Sequence, residues 1–418
     1  MAQFIVSGGK KLKGTVTVSG SKNAALPIIC ACLLSKQKIT LTNVPDIADI
    51  HAMIKIIQGL GAKANFANNK LEITASKLKK SSLPEEAICK MRASILILGP
   101  MVHRIKDVKM PFPGGCVLGK RSVHAHTHAF RELGCKIVDA TKGLHIKAGK
   151  LKGKKLTLPE QSVTATENAI MVAVLAEGDT EIRLAAAEPH VQDLCFFLRK
   201  LGAKITGIST SNIKITGVKS LKGGSYKITG DYLEAGTFAI AAAATKGEVL
   251  IKGINPDHLD ALWQKFSELG VNYELHKNSV QIKASKSFKP VKLRTAIYPS
   301  FPTDLQAPFT VLLTQAKGIS KVFETLFEGR LNYLFELEMM GAQVELLNPH
   351  QAIVIGPSKL RGMPISSYDI RAGAAMVIAA LVAEGETEIS NINYIDRGYE
   401  NLHLKLQSIG ADIHRLNN

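Results

Sequence analysis

A short phrase recurs six times along the chain, and it constrains the fold more than any other feature. It reads Leu60-Gly61-Ala62, Leu133-Gly134-Cys135, Leu201-Gly202-Ala203, Leu269-Gly270-Val271, Met340-Gly341-Ala342 and Ile409-Gly410-Ala411. The glycines are 73, 68, 68, 71 and 69 residues apart. Self-similarity at a near-constant period marks a chain built from one repeated supersecondary unit. Ahead of each glycine, apolar residues step by three and four: Ile50, Met53 and Ile57; Val191, Leu194 and Leu198; Leu259, Leu262 and Phe266; Tyr399, Leu402 and Leu406. That spacing places them on one face of an amphipathic helix. The glycine then ends the helix in the left-handed conformation. A strand follows in most copies, as in Lys136-Ile-Val-Asp139 and Val344-Glu-Leu-Leu347.

Each copy holds a second helix that is apolar nearly all round: residues 24–34, 93–102, 169–176, 236–244, 309–313 and 372–383. A helix without a polar face is buried on every side. The unit is therefore α/β, strand-helix-strand-helix with further strand, and its second helix is central. Six units of about 70 residues exceed one core, so they divide three and three with a boundary near Gly230. The first predicted domain is 22–229, and the second holds 230–418. The strand-like residues 1–20 precede the first unit and must be placed elsewhere.

Composition narrows the class. With 46% apolar residues and charge in every region the chain is globular. Its longest apolar runs fall short of the roughly 18 residues a bilayer span needs, and residues 1–9 lack the pattern of a signal peptide. Six cysteines without a CxxC pair give no disulfide scaffold. A reduced, cytoplasmic protein is expected. The net charge of +18 suits either a nucleic-acid surface or an anionic substrate. The lysines, however, are scattered in turns such as 77–80 and 150–155, with neither a basic stripe nor interleaved aromatics.

One loop, Pro111 to His128, concentrates chemistry. Gly114, Gly115 and Gly119 loosen it, and Pro111 and Pro113 restrain one side. Cys116 lies among them, with Lys120 and Arg121 close behind. A thiol near fixed cations is biased toward thiolate, and a guanidinium offers a two-pronged donor to carboxylate or phosphate. The loop reads as a mobile lid carrying a reactive sulfur to an anion. The competing reading is a basic surface loop whose cysteine is incidental.

The starts of the buried helices are polar: Lys22-Asn23, Arg92, Thr166-Glu167-Asn168, Glu234, Asp304 and Asp369-Ile-Arg371. Unpaired N–H groups and the positive end of the dipole make such a terminus an anion site. A cation there opposes the dipole, so Lys22, Arg92 and Arg371 are expected where a site dictates the residue. Arg121 and Arg397 share one repeat position, and Arg330 lies two residues further along in its own copy. These arginines suggest helix starts facing a cleft that binds a polyanionic substrate, with Asp304 and Asp369 as base candidates.

Seven phrases in order resemble the UDP-N-acetylglucosamine 1-carboxyvinyltransferase family of enolpyruvyl transferases: Gly20-Ser-Lys-Asn-Ala-Ala-Leu-Pro27, Met91-Arg-Ala-Ser-Ile95, Pro113-Gly-Gly-Cys-Val-Leu-Gly119, Phe301-Pro-Thr-Asp-Leu-Gln306, Phe327-Glu-Gly-Arg330, Asp369-Ile-Arg371 and Ile395-Asp-Arg-Gly-Tyr-Glu400. The resemblance runs from about Phe4 to Ile413. It implies an inside-out α/β barrel in each of two domains, helices inside and sheets outside, with the N-terminal strand joining the second domain, which becomes 1–21 with 230–418. It implies transfer of the enolpyruvyl group of phosphoenolpyruvate to the 3-hydroxyl of UDP-N-acetylglucosamine, with release of phosphate, as the first committed step of peptidoglycan synthesis. No cofactor, metal, nucleic acid, membrane insertion or obligate protein partner is implied.

By the same resemblance Cys116 is the general acid and forms a covalent phospholactoyl adduct, and fosfomycin is an expected alkylating agent. Asp304 takes the sugar hydroxyl proton. Lys22, Arg121 and Arg397 bind phosphoenolpyruvate, while Arg92, Arg330, Asp369 and Arg371 shape the cleft. Asn23, Arg121, Ser122, Val123, His124, Ala125, Ser162, Val163 and the Leu326 carbonyl hold the nucleotide sugar. The chain departs from the family pattern at Ser122 and His124, usually Pro and Asp on the uracil side, and at Thr164, usually Gly. It also departs at Gly329, commonly Asn, and Phe112, usually Leu. The cluster His124, His126 and His128 invites a metal reading, but only His124 and His128 share a helix face and no Asp or Cys completes a common ligand set. The alternatives are a shikimate-3-phosphate-type transferase of the same fold, which the Gly-Gly-Cys lid disfavours, and a basic nucleic-acid-binding repeat protein, which explains neither Cys116 nor Asp304.

Overall fold

A computed structural model describes residues 2–78, 85–114, 122–139, 141 and 143–417; Cys116, Lys120 and Arg121 lie outside them. The described chain divides into two compact units, one built from Met1–Ser19 and Gly230–Asn418 and the other from the stretch between. Each has its own hydrophobic cluster, as expected when a chain outgrows a single core.

All six repeat glycines adopt positive φ, from 88° at Gly270 to 105° at Gly202, so each closes its helix in the left-handed region. The helices they close are Ala48–Gly59, His124–Glu132, Pro189–Lys200, Asp260–Leu269, Leu334–Met339 and Leu402–Ser408. The apolar face read from the spacing is buried throughout, from Ile50 to Leu406. The last helix is shorter than its periodicity suggests. Asn401 takes a left-handed conformation ahead of it, so Tyr399 is buried but precedes the helix.

The apolar helices are Lys22–Ala31, the 3₁₀ turn Arg92–Ile97 leading into Leu98–Arg104, Val163–Ala173, Tyr232–Ala244, Gln306–Leu313 and Ile370–Val382. In the unit formed by 20–229, the second of them packs on both the first and the third; in the other unit all three touch one another. Two begin a full turn or more before the expected 169 and 236. Ser162 and Asp231, both extended, are the N-caps of the third and fourth, so Glu167, Asn168 and Glu234 sit inside their helices and are buried.

Sheet topology repeats with the helices. The strand after a buried helix pairs antiparallel with the second strand of the following hairpin. In four copies it also accepts, in parallel, a strand that closes a neighbouring copy: Lys155–Thr157 on Asp179–Arg183, Gly224–Lys227 on Ile39–Thr42, Lys292–Arg294 on Gly318–Phe323 and Ile365–Ser366 on Glu386–Ser390. The sixth copy ends with one strand, Asp412–Leu416, and the N-terminus supplies what it lacks. Gln3–Ser7 pairs antiparallel with both Asp412–Leu416 and Glu386–Ser390, and Lys13–Thr17 pairs parallel with Glu248–Lys252. Residues 3–17 are thus built into the unit that holds the C-terminus. Among the described residues the strands form six separate sheets, none closed on itself, and no helix is long and apolar enough to cross a membrane.

Candidate active site

The described candidate residues fall into two clusters, one in each unit. In the unit formed by 20–229, Lys22 opens the first buried helix, where its charge opposes the dipole. Asp49, in the first turn of the next helix, answers it: Lys22 Nζ is 2.7 Å from Asp49 Oδ2, with both side chains largely buried. Spacing alone does not single out Asp49, although a carboxylate one residue before Ile50 on an apolar helix is a usable signal. Asn23 follows Lys22 in the same first turn, half-buried.

Arg92 opens the second buried segment and donates through Nη2 to the Ser122 carbonyl at 2.8 Å. Ser122 in turn accepts the His124 N–H on its Oγ at 3.0 Å, which orders the entry of the helix His124–Glu132. Val123 is half-buried, His124 exposed and Ala125 buried. His126 is buried beneath them. Asn168 gives one amide hydrogen to the Ile95 carbonyl and the other to His126 Nδ1 at 3.0 Å, while its Oδ1 accepts from Gly99 N at 2.9 Å. His126 Nδ1 is thereby the acceptor, and Nε2–H donates to Thr164 Oγ1 at 3.1 Å. Burial and the nearby Arg92 charge push the His126 pKa down to about 3, in keeping with a neutral ring. Thr164, in place of the family's usual glycine, therefore has a partner. Ser162 caps the third buried helix by its backbone, and Val163 is its first residue.

His128 Nε2 meets the Thr157 carbonyl at 3.1 Å, and among the described residues no group of three or more His, Cys, Asp or Glu side chains could hold a metal ion.

In the other unit Asp304, just ahead of the buried helix Gln306–Leu313, is met by two arginines from separate segments of the chain. Arg330 Nη2 donates to Asp304 Oδ1 at 2.7 Å, and Arg371 Nη2 stands 3.5 Å from Oδ2. Both guanidiniums are largely buried, whereas the Asp304 carboxylate is 27% exposed. Asp369 is the N-cap of the sixth buried helix, accepting the Arg371 and Ala372 N–H groups at 2.7 and 2.8 Å. Its Oδ1 thus serves as the cap of that helix. Arg371 Nη1 donates to the Tyr399 hydroxyl at 3.0 Å, and that hydroxyl pairs with Thr237 Oγ1 at 2.9 Å. Burial opposes the Arg371 charge, but Tyr399, Asp304 and Asp231 outweigh it and hold its pKa above the ordinary arginine value.

Arg330 also donates through Nη1 to Thr303 Oγ1 at 2.7 Å, and its guanidinium lies 5.2 Å from the Phe327 ring centre. Arg330 lies in a turn ahead of Leu334–Met339, and Arg397 is the C-cap of the short helix Asn393–Asp396. Neither occupies the helix start that the repeat arithmetic suggests, because these two copies enter their surface helices later. Leu326 is partly exposed, and its N–H donates to Glu324 Oε1 at 2.9 Å. Thr303, Glu324 and Tyr399 escape a reading by residue type, although Thr303 and Tyr399 stand inside the motifs quoted for the family.

A family model described as EPSP synthase (3-phosphoshikimate 1-carboxyvinyltransferase) matches residues 6–406. UDP-N-acetylglucosamine 1-carboxyvinyltransferase 1 of Caldanaerobacter subterraneus subsp. tengcongensis is 42% identical over 413 residues, covering 99% of each chain. The UDP-N-acetylglucosamine 1-carboxyvinyltransferase of Borrelia garinii subsp. bavariensis is 41% identical over 424 residues, covering 100% of this chain and 99% of its own. Among solved structures, the enolpyruvyl transferase NikO from Streptomyces tendae aligns over 100% of this chain and 99% of its own, with a TM-score of 0.90 at 22% identity. EPSP synthase from Acinetobacter baumannii aligns over the whole of both chains at 0.76 and 18%. The mixed α/β fold is thus that of the enolpyruvyl transferases, and by full-length identity the chain belongs to the UDP-N-acetylglucosamine 1-carboxyvinyltransferase family.

Proposed function

We propose that this chain transfers the enolpyruvyl group of phosphoenolpyruvate to the 3-hydroxyl of UDP-N-acetylglucosamine and releases phosphate. The observation that carries the reading is Asp304, a partly exposed carboxylate oriented by two buried arginines, in a chain 42% identical over its length to a relative named for that reaction. Asp304 takes the proton of the sugar hydroxyl as its oxygen bonds to C2 of phosphoenolpyruvate. The Cys116 thiol gives a proton to C3. Elimination then returns a C3 proton, breaks the C2–O bond to phosphate and restores the double bond. In the covalent form, the Cys116 sulfur bonds to C2 instead. Lys22, Arg121 and Arg397 receive phosphoenolpyruvate, and Arg92, Arg330, Asp369 and Arg371 order the groups around it. Asn23, Arg121 to Ala125, Ser162, Val163 and the Leu326 carbonyl hold the nucleotide sugar. No cofactor is required by this chemistry.

Both substrates are anions, which suits the net charge of +18. The product makes the enzyme a cytoplasmic one at the entry to peptidoglycan synthesis, with the cell-shape and division roles that follow. Three buried helices flanked by separate sheets in each unit support reading each as an inside-out α/β barrel.

The deciding assay is phosphate release from phosphoenolpyruvate with UDP-N-acetylglucosamine, with shikimate 3-phosphate and with no acceptor. Turnover with the nucleotide sugar alone supports the proposal. Turnover with shikimate 3-phosphate alone would assign the other acceptor.

A further inference from the structure

Glu324 is fully buried, and its carboxylate takes no part in the proposed chemistry. Its oxygens are nonetheless committed: Oε2 accepts from Thr303 Oγ1 at 2.7 Å and Oε1 from Leu326 N at 2.9 Å. The backbone of the same residue is anchored to His350, whose carbonyl accepts the Glu324 N–H at 2.8 Å and whose Nδ1 donates to the Glu324 carbonyl at 2.8 Å. The direction of the side-chain relay is dictated by the groups. A guanidinium only donates, so Thr303 Oγ1 must accept from Arg330 Nη1, and its single hydrogen goes to Glu324. Arg330, fixed at that end, presents Nη2 to Asp304 Oδ1 at 2.7 Å.

We infer that Glu324 is a positioning residue that sets Arg330 against Asp304 and the Leu326 segment together. A buried carboxylate is costly, so its burial is tolerated where hydrogen bonds satisfy its oxygens. What an apolar replacement cannot do is hold a hydroxyl and a backbone N–H in fixed directions. A glutamine would turn an N–H₂ toward one of two donors and leave it without an acceptor. One carboxylate therefore couples the orientation of the proton acceptor to the strand end that carries the Leu326 carbonyl. An error of about 1 Å in such a group costs on the order of 100-fold in rate.

This role rests on the proposed reaction. The test compares the full chain with Glu324→Gln, Thr303→Val and Thr303→Ser in the phosphate-release assay with phosphoenolpyruvate and UDP-N-acetylglucosamine, alongside thermal unfolding. Glu324→Gln and Thr303→Val should lower kcat roughly 10- to 100-fold, with a smaller change in either KM and a displaced acid limb of the kcat–pH profile. Thr303→Ser keeps the hydroxyl and should restore both. If Glu324→Gln does not fold, the isosteric Thr303→Val decides. A lowered melting temperature with kcat and pH profile unchanged overturns the role, as does Thr303→Val turning over like wild type. Absence of turnover in the wild type overturns the reaction and this role with it.

Discussion

Arg330 Nη2 donates to Asp304 Oδ1 at 2.7 Å from a side chain that is itself only 7% exposed. The arginine has no freedom to follow solvent, so the carboxylate it meets is oriented before any substrate arrives. Such preorganisation is what a proton acceptor in a group transfer requires.

Asp304→Ala should still bind both substrates but turn over slowly. Loss of a general base lowers kcat by roughly 10²- to 10⁴-fold. Calorimetric titration with UDP-N-acetylglucosamine and steady-state phosphate release measure the two quantities. Retained turnover would reassign the base.

Cys116→Ala should abolish turnover near neutral pH, while Cys116→Asp, which keeps an acid, should retain some. Mass spectrometry after fosfomycin should find the adduct on the Cys116 peptide. The other thiols supply the internal control. Burial pushes Cys135 and Cys195 up to about 12 and raises Cys30 and Cys32 as well, and a buried protonated thiol is inert. Alkylation of the native protein with iodoacetamide should therefore spare these four and reach exposed Cys89. Modification of Cys30 or Cys195 in the folded chain would contradict the buried placement.

Acid should weaken the fold through His126. Unfolded, its ring takes a proton below about 6.5; folded, burial and Arg92 push the pKa down to about 3. Between these values the unfolded state binds the extra proton, so stability falls as pH drops from 6.5. At about 1.4 kcal/mol per pH unit, the loss reaches roughly 2 kcal/mol at pH 5. Asp193 acts in the opposite sense, because burial raises its pKa to about 6 and the folded state then holds the extra proton. The difference between wild type and His126→Gln cancels Asp193. Between pH 7 and pH 5, urea unfolding should show wild type losing roughly 2 kcal/mol relative to His126→Gln; equal changes in the two proteins would place a solvated ring at 126.

Leu184 should be replaceable with a gain in stability. It follows the strand Asp179–Arg183 with φ of 55° and is 42% exposed. After the corresponding strands of three other copies stand Asn43, Gly253 and Asn391, also at positive φ. An L-residue with a bulky side chain pays roughly 1–2 kcal/mol in this region, and asparagine tolerates it better. Leu184→Asn should thus raise the urea midpoint by an amount equivalent to about 1 kcal/mol. An unchanged or lower midpoint would mean that Leu184 makes a compensating contact.

The two kinds of helix could be told apart in the sequence because each has its own periodicity: steps of three and four before each glycine, and unbroken apolar runs elsewhere. The starts of Val163–Ala173 and Tyr232–Ala244 were less legible. Their first turns carry Thr166 and Glu234, whose polarity resembles a loop until the fold buries them. The same limit hid Asp49 and Glu324. A buried carboxylate looks like a surface one until its partners, here Lys22 and Thr303, are seen beside it.

The amino-acid sequence by itself determined the six copies, their two helix types, the left-handed glycines and the residues able to bind anions or move protons. These depend on spacing and residue chemistry, which are local. Tertiary structure alone decided that residues 3–17 complete the last copy and that Asp369 caps a helix. It also decided that Arg330 and Arg371 both reach Asp304. Those outcomes depend on groups far apart along the chain meeting at hydrogen-bond distance, where a few tenths of an ångström separate a partner from a neighbour.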